Sequence, residues 1–380
     1  MGQWPEFKPE AARKKEVLLH KALECDSNYA QAYAGLAGIL WVRIDRDSSI
    51  TDSNIFNKYL DSMLVLTNIA LSYDDKLAEA YVIRGVYYGY KGSINKALEE
   101  YDKASKINPN DYWGYWAKGG LYEELDISKA IENLQKALSL YHGPGRASSL
   151  RRIGNNYISA GFPEKGKAFY KEALKLDGDS VVFIEYLIWW LPENSTSYYN
   201  AAIDHFKKRY FKDSANVDVL SGLGSLYLSA GDKKESLKYY KKYVSASKAI
   251  GNNNTDDMNL GLVYLLNGYK NEAEYCFEQQ IKVCSIQLKS VTPGERIYWA
   301  YPLAAIYACV GDKAKAYENL EIFNQNKSFK YYWVARIKNE PFFSSIRNEP
   351  EFQKIVRDVE AKYQAEHERV RKWLEDQGKL

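Results

Sequence analysis

The sequence predicts an all-α protein: a right-handed superhelical solenoid of antiparallel helix pairs, closed by a C-terminal capping helix. Three observations carry that expectation. Apolar residues make up 46% of the 380 and charged residues 27%, while Gly and Pro number only 24 and 10, a balance that excludes disorder and favours helix. Small residues recur at a unit spacing of 34 that lengthens toward the C-terminus, as Gly85, Gly119, Gly154, Gly224, Gly261 and Ala304. Three residues after each stands a tyrosine: Tyr88, Tyr122, Tyr157, Tyr227, Tyr264 and Tyr307. A period of this length marks a stacked array of small units rather than a single globular core.

Counting residue 78 as position one, the small residue falls at position eight and the tyrosine at position eleven. A second small residue recurs at position twenty: Ala97, Ala130, Gly166, Ser236, Ala273 and Ala316. Four residues on, a large side chain follows, Tyr101, Leu134, Tyr170, Tyr240, Phe277 and Leu320. Residues three or four apart share a helix face. The pattern therefore describes two helices that approach closely where both lack bulk, with the tyrosine filling the space beside the crossing. At position fifteen Gly92, Gly161, Gly231, Gly268 and Gly311 can take the left-handed conformation that closes a helix, and Ser93, Asp232 and Asp312 follow as N-caps. Pro109 marks where a second helix must stop.

In chain order, residues 1–29 read as the second helix of a truncated first unit, with apolar spacing at Val17, Leu18, Ala22 and Leu23. Residues 30–77 form a unit stretched by an insertion around RIDRDSSITDSN. Regular units follow at 78–111, 112–146 and 147–180. Residues 181–216 form a distorted unit whose first helix, FIEYLIWWLPENS, lacks the glycine. Three more units occupy 217–253, 254–290 and 291–327; in the last, Pro302 should bend the first helix or delay its start. Residues 328–380 form the cap, with Phe352, Ile355, Val356, Val359, Tyr363 and Val370 along one face of a final helix and 14 charged residues in the last 30. A polar outer face is what a terminal unit needs to stay soluble.

Residues 78–111 carry Tyr81, Gly85, Tyr88, Ala97, Tyr101, Ala104 and Pro109 at positions four, eight, eleven, twenty, twenty-four, twenty-seven and thirty-two. This pattern resembles the tetratricopeptide repeat, with Arg84 in place of the usual Leu at position seven. The resemblance extends over residues 30–327. More narrowly, NYAQAYAGLAGIL and KNEPFFSSIRNEPEFQKIV look like the opening and closing of repeat arrays appended to bacterial signalling proteins, whose cyclase, kinase or DNA-binding output domain has no counterpart here. The resemblance implies a non-enzymatic scaffold, the sensor or adaptor part of such a protein, which binds an extended peptide or partner helix in the concave groove lined by the first helices. The groove candidates are Trp41, Glu79, Val82, Trp113, Trp116, Glu123, Arg151, Asn155, Tyr298 and Tyr301. Since Tyr115 already fills position four, at least one of Trp113 and Trp116 should be exposed. Peptide-binding relatives hold a terminal carboxylate with a basic residue at position five and Asn at position nine. Arg151 and Asn155 stand there, but Trp189 and Asp218 stand where the rest of such a clamp belongs, and a solvated Arg and Asn is the plainer account.

Other chemistry is thinly represented. The four histidines, His20, His142, His205 and His367, fall in separate units, so no metal site or other cofactor is expected. HGPGR at 142–146 lacks the ending of a phosphate loop. Cys25, Cys276, Cys284 and Cys309 form no CxxC pair and read as core thiols. The net charge of +3, spread without evident blocks, predicts no nucleic-acid partner. The absence of an apolar run of eighteen residues predicts no membrane insertion. A cytoplasmic location is expected, or a periplasmic one if the chain belongs to a membrane-anchored regulator. The alternatives are a self-assembling scaffold and an RNA-binding helical repeat. The latter needs a regular polar code, where Val82, Trp116, Arg151, Ser221 and Met258 stand instead.

Overall fold

The computed structural model describes residues 9–46, 53–143, 145–178, 196–251, 258–291 and 296–380. Among the described residues there are eighteen α-helices, one 3-10 turn and no strand. The fold is an all-α helical repeat. Two compact units divide the chain, one comprising Met1–Tyr157 with Glu164–Gly178, the other Ile158–Pro163 with Asp179–Leu380.

In the first unit the helices are α1 (Pro9–Cys25), α2 (Ala30–Arg46), α3 (Ser53–Tyr73), α4 (Ala78–Tyr90), α5 (Ile94–Ile107), α6 (Tyr112–Tyr122), α7 (Ile127–Leu140), α8 (Arg146–Ser159) and α9 (Pro163–Asp177). The last residues of α8 and the first of α9 are grouped with the second unit. Helices α2, α4 and α6 each pack on the odd-numbered helix that follows as an antiparallel pair, and α2, α4 and α6 lie side by side; α8 meets α9 at Gly154. The second unit contains α10 (Thr196–Lys212), α11 (Val217–Ser229), α12 (Lys233–Ala249), α13 (Met258–Leu266), α14 (Lys270–Ser290), α15 (Arg296–Val310), α16 (Lys313–Asn324), α17 (Tyr331–Asn339) and, after the 3-10 turn Pro341–Phe343, α18 (Pro350–Asp376). The first helix of the distorted unit, with Trp189 and Trp190, and the insertion at 47–52 lie outside the described residues.

The small residues sit where the helices touch. A Cβ on Gly85 would come within 2.5 Å of the Tyr101 ring, one on Gly119 within 2.7 Å of Leu134, and one on Gly154 within 2.8 Å of Tyr170. In the second unit, Gly224 meets Tyr240 and Gly261 meets Phe277, each at 2.6 Å. The position-eight glycine is thus the seat for the large residue of the following helix, and Ala97, Ala130, Ala273 and Ala316 are buried beneath the same crossings. Ser236 plays that part with a hydroxyl, donating to the Gly224 carbonyl at 2.7 Å. Several position-eleven tyrosines carry an ammonium group over the ring: Lys96 on Tyr88, Lys129 on Tyr122 and Lys315 on Tyr307, each from the residue just before the small one of the second helix. Burial pushes the phenols of Tyr101, Tyr157 and Tyr170 above their ordinary value, and that of Tyr363 to about 12.

All five turn glycines have positive φ, from 69° at Gly92 to 89° at Gly161 and Gly311. Asp232 and Asp312 then cap the next helix, accepting from the Glu235 and Lys315 amides at 3.1 and 3.2 Å. Ser93 holds the N-cap position of α5 without a side-chain capping bond. Where no glycine stands, Asp126 caps α7 through the amides of Ser128 and Lys129.

Four expectations are corrected. On α1, Val17 and Leu18 are 49% and 65% exposed. The helix instead packs through Leu19, whose methyls fill the space beside Gly35, and through an Arg43–Glu16 ion pair at 2.6 Å, because α2 meets a face of α1 rotated from the apolar pair. Pro302 does not delay its helix, since α15 starts at Arg296 and runs through it. Cys25 is exposed, while Cys276 and Cys284 are buried and Cys309 is half-buried. Burial pushes the Cys284 and Cys309 thiols to about 11, which leaves them inert near neutrality. Charge is not evenly spread: α10 and α12 together carry ten basic residues against two acidic ones. The predicted apolar face of α18 is buried throughout.

Candidate functional site

On the first helices of the first unit, close approach again begins with a glycine. Gly114 on α6 lies where its Cβ would be 3.7 Å from a Val82 methyl on α4. Either side of that contact, Trp113 and Trp116 stand three residues apart on one face of α6, and Trp41 reaches them from α2. The ring centroids are 5.5 Å apart for Trp41 and Trp113, 6.1 Å for Trp41 and Trp116, and 5.8 Å for Trp113 and Trp116, mostly edge-on or tilted. That is the separation and orientation the ring quadrupole favours. All three indoles are half-buried. Tyr112 and Tyr141 extend the row beyond Trp113, with centroids 4.6 Å and then 4.4 Å apart.

The opposite end is held by charge. Arg152 lies with its guanidinium 4.2 Å from the Trp116 ring centroid. Its Nε and Nη2 donate to Glu123 at 2.8 and 3.1 Å, a forked geometry that fixes the plane of the group. Asn156 donates to the same carboxylate at 2.9 Å. Gly120 makes room, since the Arg152 Nη2 occupies the space a Cβ would need. Two carboxyl groups lie toward the Trp41 and Trp113 end. Asp111 caps α6, accepting from the Trp113 amide at 3.3 Å, and burial pushes its carboxyl above the usual carboxylate range against the pull of that bond. Glu79, at the surface of α4, is also pushed up, by loss of solvation and by the charge of Asp111, while Lys15 on α1 pulls it back.

Seven of the ten candidates thus retain an accessible surface: Trp41, Glu79, Trp113, Trp116, Glu123 and Asn155 in the first unit, and Tyr298, 36% exposed, in the second. Asn155 is half-buried and accepts a hydrogen bond from the Tyr170 hydroxyl at 2.5 Å. The other three are in the interior. Val82 is 1% exposed because α6 covers it. Arg151 is 3% exposed and paired with Asp177 at the end of α9, 2.5 Å away, so it is not the solvated Arg the spacing suggests. Tyr301 is fully buried among Trp333, Phe323 and Phe343, and its hydroxyl donates to Glu340. A carboxylate clamp from Arg151 and Asn155 is therefore occupied by the protein itself. Arg152, Asn156, Tyr112 and Tyr141 are the site residues that repeat positions do not reveal. For Arg152, the signal was the adjacent Arg pair with Glu123 one repeat earlier.

Among the described residues, no group of three or more His, Cys, Asp or Glu is placed to hold a metal ion, and no helix is long and apolar enough to cross a membrane. Paired helices with a small residue at each crossing define an α-helical repeat protein. Residues 78–111 and 217–250 match the family model of the tetratricopeptide repeat, so those two units are repeats of that type. A curated relative, the protein CTR9 homolog of Arabidopsis thaliana, is 27% identical over 169 residues, which is 41% of this chain but 15% of the relative; the match spans a small part of that protein's length. Among solved structures, one reported as a functional characterization of Pseudomonas aeruginosa pilF is 16% identical with a TM-score of 0.35, covering 68% of this chain and 92% of that one. YrrB, described as a TPR protein with an unusual peptide-binding site, is 17% identical with a TM-score of 0.31, covering 60% and 92%. A human IFIT1 dimer with PPP-AAAA is 16% identical with a TM-score of 0.37, covering 83% and 68%.

Proposed function

We propose that this chain is a non-enzymatic scaffold that binds an extended peptide or a partner helix along the first helices of its first unit. The bacterial arrays that its opening and closing phrases resemble would make it the sensor or adaptor part of a signalling or regulatory protein. One observation carries the reading: three half-buried indoles from two side-by-side helices form a continuous aromatic surface, braced at one end by Arg152 and Glu123. Binding energy at interfaces concentrates in Trp, Tyr and Arg seated in such half-enclosed positions. The rings are already held by one another and by the guanidinium, so a ligand incurs little ordering cost on the protein side. Trp41, Trp113 and Trp116 would anchor apolar side chains. Glu79 and Asp111 would favour a basic residue at the Trp41 end.

The test is a display selection of unbiased linear peptides on the whole chain, followed by affinity measurement on Trp116→Ala. Loss of the indole should weaken selected peptides by roughly thirtyfold, corresponding to about 2 kcal/mol, with the far-UV circular dichroism unchanged. Selected peptides that bind the variant as tightly as the parent would refute the site.

A further inference from the structure

The second unit concentrates positive charge on two neighbouring helices. On α10 stand Lys207, Lys208, Arg209 and Lys212 against the single acid Asp204. On α12 stand Lys233, Lys234, Lys238, Lys241, Lys242 and Lys248 against the single acid Glu235. These two helices thus carry ten basic and two acidic residues in a protein whose net charge is only +3. They are adjacent: the Tyr210 and Tyr239 rings are 5.7 Å apart and Lys242 donates to the Tyr210 hydroxyl at 2.5 Å. The block is invisible along the chain because α11 separates its halves. In space, the exposed stripe of α12 reads Lys234, Lys238, Lys241, Lys242, Ser245 and Lys248. Beside it on α10, Lys208, Phe211 and Lys212 are exposed, three and four residues apart and so on one face. Phe211 is 81% exposed.

We propose that this face docks on an anionic phospholipid bilayer, the lysines meeting the headgroups and Phe211 entering the interface. Lysine clusters of this size on a helical surface are attracted to anionic lipid, and an exposed apolar side chain supplies the second contribution that stable peripheral binding needs. The same face is poorly suited to nucleic acid. A single strand is gripped by stacking bases on open aromatic rings. Here Phe211 is a single open ring with no exposed aromatic partner among the described residues to continue a stack: Tyr227 and Tyr239 are 8% and 5% exposed, and lysine ammonium groups lie over the neighbouring rings, Lys207 over Tyr227, Lys238 over Tyr239, and Lys242 over Tyr210. The exposed stripe offers no Arg, Asn or Gln to read base edges. Docking is peripheral, consistent with the lack of a long apolar helix among the described residues.

Cosedimentation of the full chain with vesicles of equal parts phosphatidylserine and phosphatidylcholine tests the proposal, with pure phosphatidylcholine vesicles and an RNA duplex as the other arms. Binding is expected to the anionic vesicles alone and to fall as salt screens the charges. The variant Lys208→Glu/Lys212→Glu/Lys234→Glu/Lys248→Glu changes four exposed side chains that form no ion pair among the described residues, so the fold should be unaffected. It should lose on the order of a hundredfold or more in partitioning, at about fivefold for each lysine. Phe211→Ser should lose roughly tenfold without altering the salt dependence. Absence of binding to anionic vesicles at low salt, equal binding by the charge variant, or tighter binding to the RNA duplex than to the vesicles would overturn the proposal.

Discussion

Gly154→Leu should separate α8 from α9 and cost about 3 kcal/mol or more, the upper part of the range for overpacked interiors. Even the first carbon of the new side chain would stand 2.8 Å from the Tyr170 ring and 3.0 Å from the Gly166 carbonyl oxygen. Tyr170 is 4% exposed and tied through its hydroxyl to Asn155, so the ring has nowhere to turn. Gly166 presents backbone, which cannot swing aside. Pushing the helices apart also pulls Arg151 away from Asp177 and leaves a buried guanidinium without its partner. Leu is favoured over Gly in a helix by up to about 1 kcal/mol, too little to offset this. Repeat units couple chiefly to their neighbours. Amide exchange should therefore accelerate in α8 and α9 and stay at parental rates in α13 and α14. A denaturation midpoint equal to the parent's would show that α8 and α9 do not cross at Gly154.

Tyr301→Ala should be similarly damaging, with a loss of about 3–5 kcal/mol for removal of a fully enclosed ring. The position matters because repeat spacing puts Tyr301 in line with groove residues, yet the ring is enclosed by Trp333, Phe323 and Phe343, and the Arg336 guanidinium lies 5.1 Å from its centroid. Burial and the nearby Glu340 carboxylate hold the phenol well above its ordinary pKa, so it remains a donor. Tyr301→Phe keeps the ring and removes that donor. Because Arg336 still serves Glu340 at 2.9 Å, the cost should fall to about 1 kcal/mol. An exposed ligand-binding tyrosine would instead tolerate alanine within about 0.5 kcal/mol. Urea titrations of the two variants beside the parent distinguish these outcomes.

The crossings were legible in the sequence because each depends on a local requirement repeated along the chain. Two helices cannot approach without a small residue, and glycine or alanine therefore returns at the same place in the pairs that retain the motif. Positive-φ glycines closing the first helices were legible for the same reason. The tryptophans were legible as a surplus: the tyrosines had assigned places in the pattern, and Trp41, Trp113 and Trp116 did not. What escaped was whatever depends on the direction of one side chain relative to its neighbour. Arg151 and Arg152 are adjacent on one helix and point about 100° apart. One enters the interior to meet Asp177, while the other lies on Trp116 and pairs with Glu123, 29 residues earlier. Val17 and Leu18 mislead in the same way, since α2 packs on the neighbouring Leu19. The lysine face needed coordinates because its two halves belong to helices separated by a third.

The claim on which the rest depends is that a small residue in the first helix of each pair exists to seat the large residue of the second. Ala304 and Leu320, both fully buried, occupy these two positions in one pair, where Gly85 and Tyr101 occupy them in another. A double-mutant cycle on Gly85→Ala and Tyr101→Leu, read by equilibrium unfolding, tests the claim directly. Alanine alone should destabilise, because its methyl would lie 2.5 Å from the Tyr101 ring. With leucine in place of tyrosine, the methyl should be tolerated, giving a favourable coupling of about 1 kcal/mol or more. Effects that add to within about 0.3 kcal/mol would contradict it.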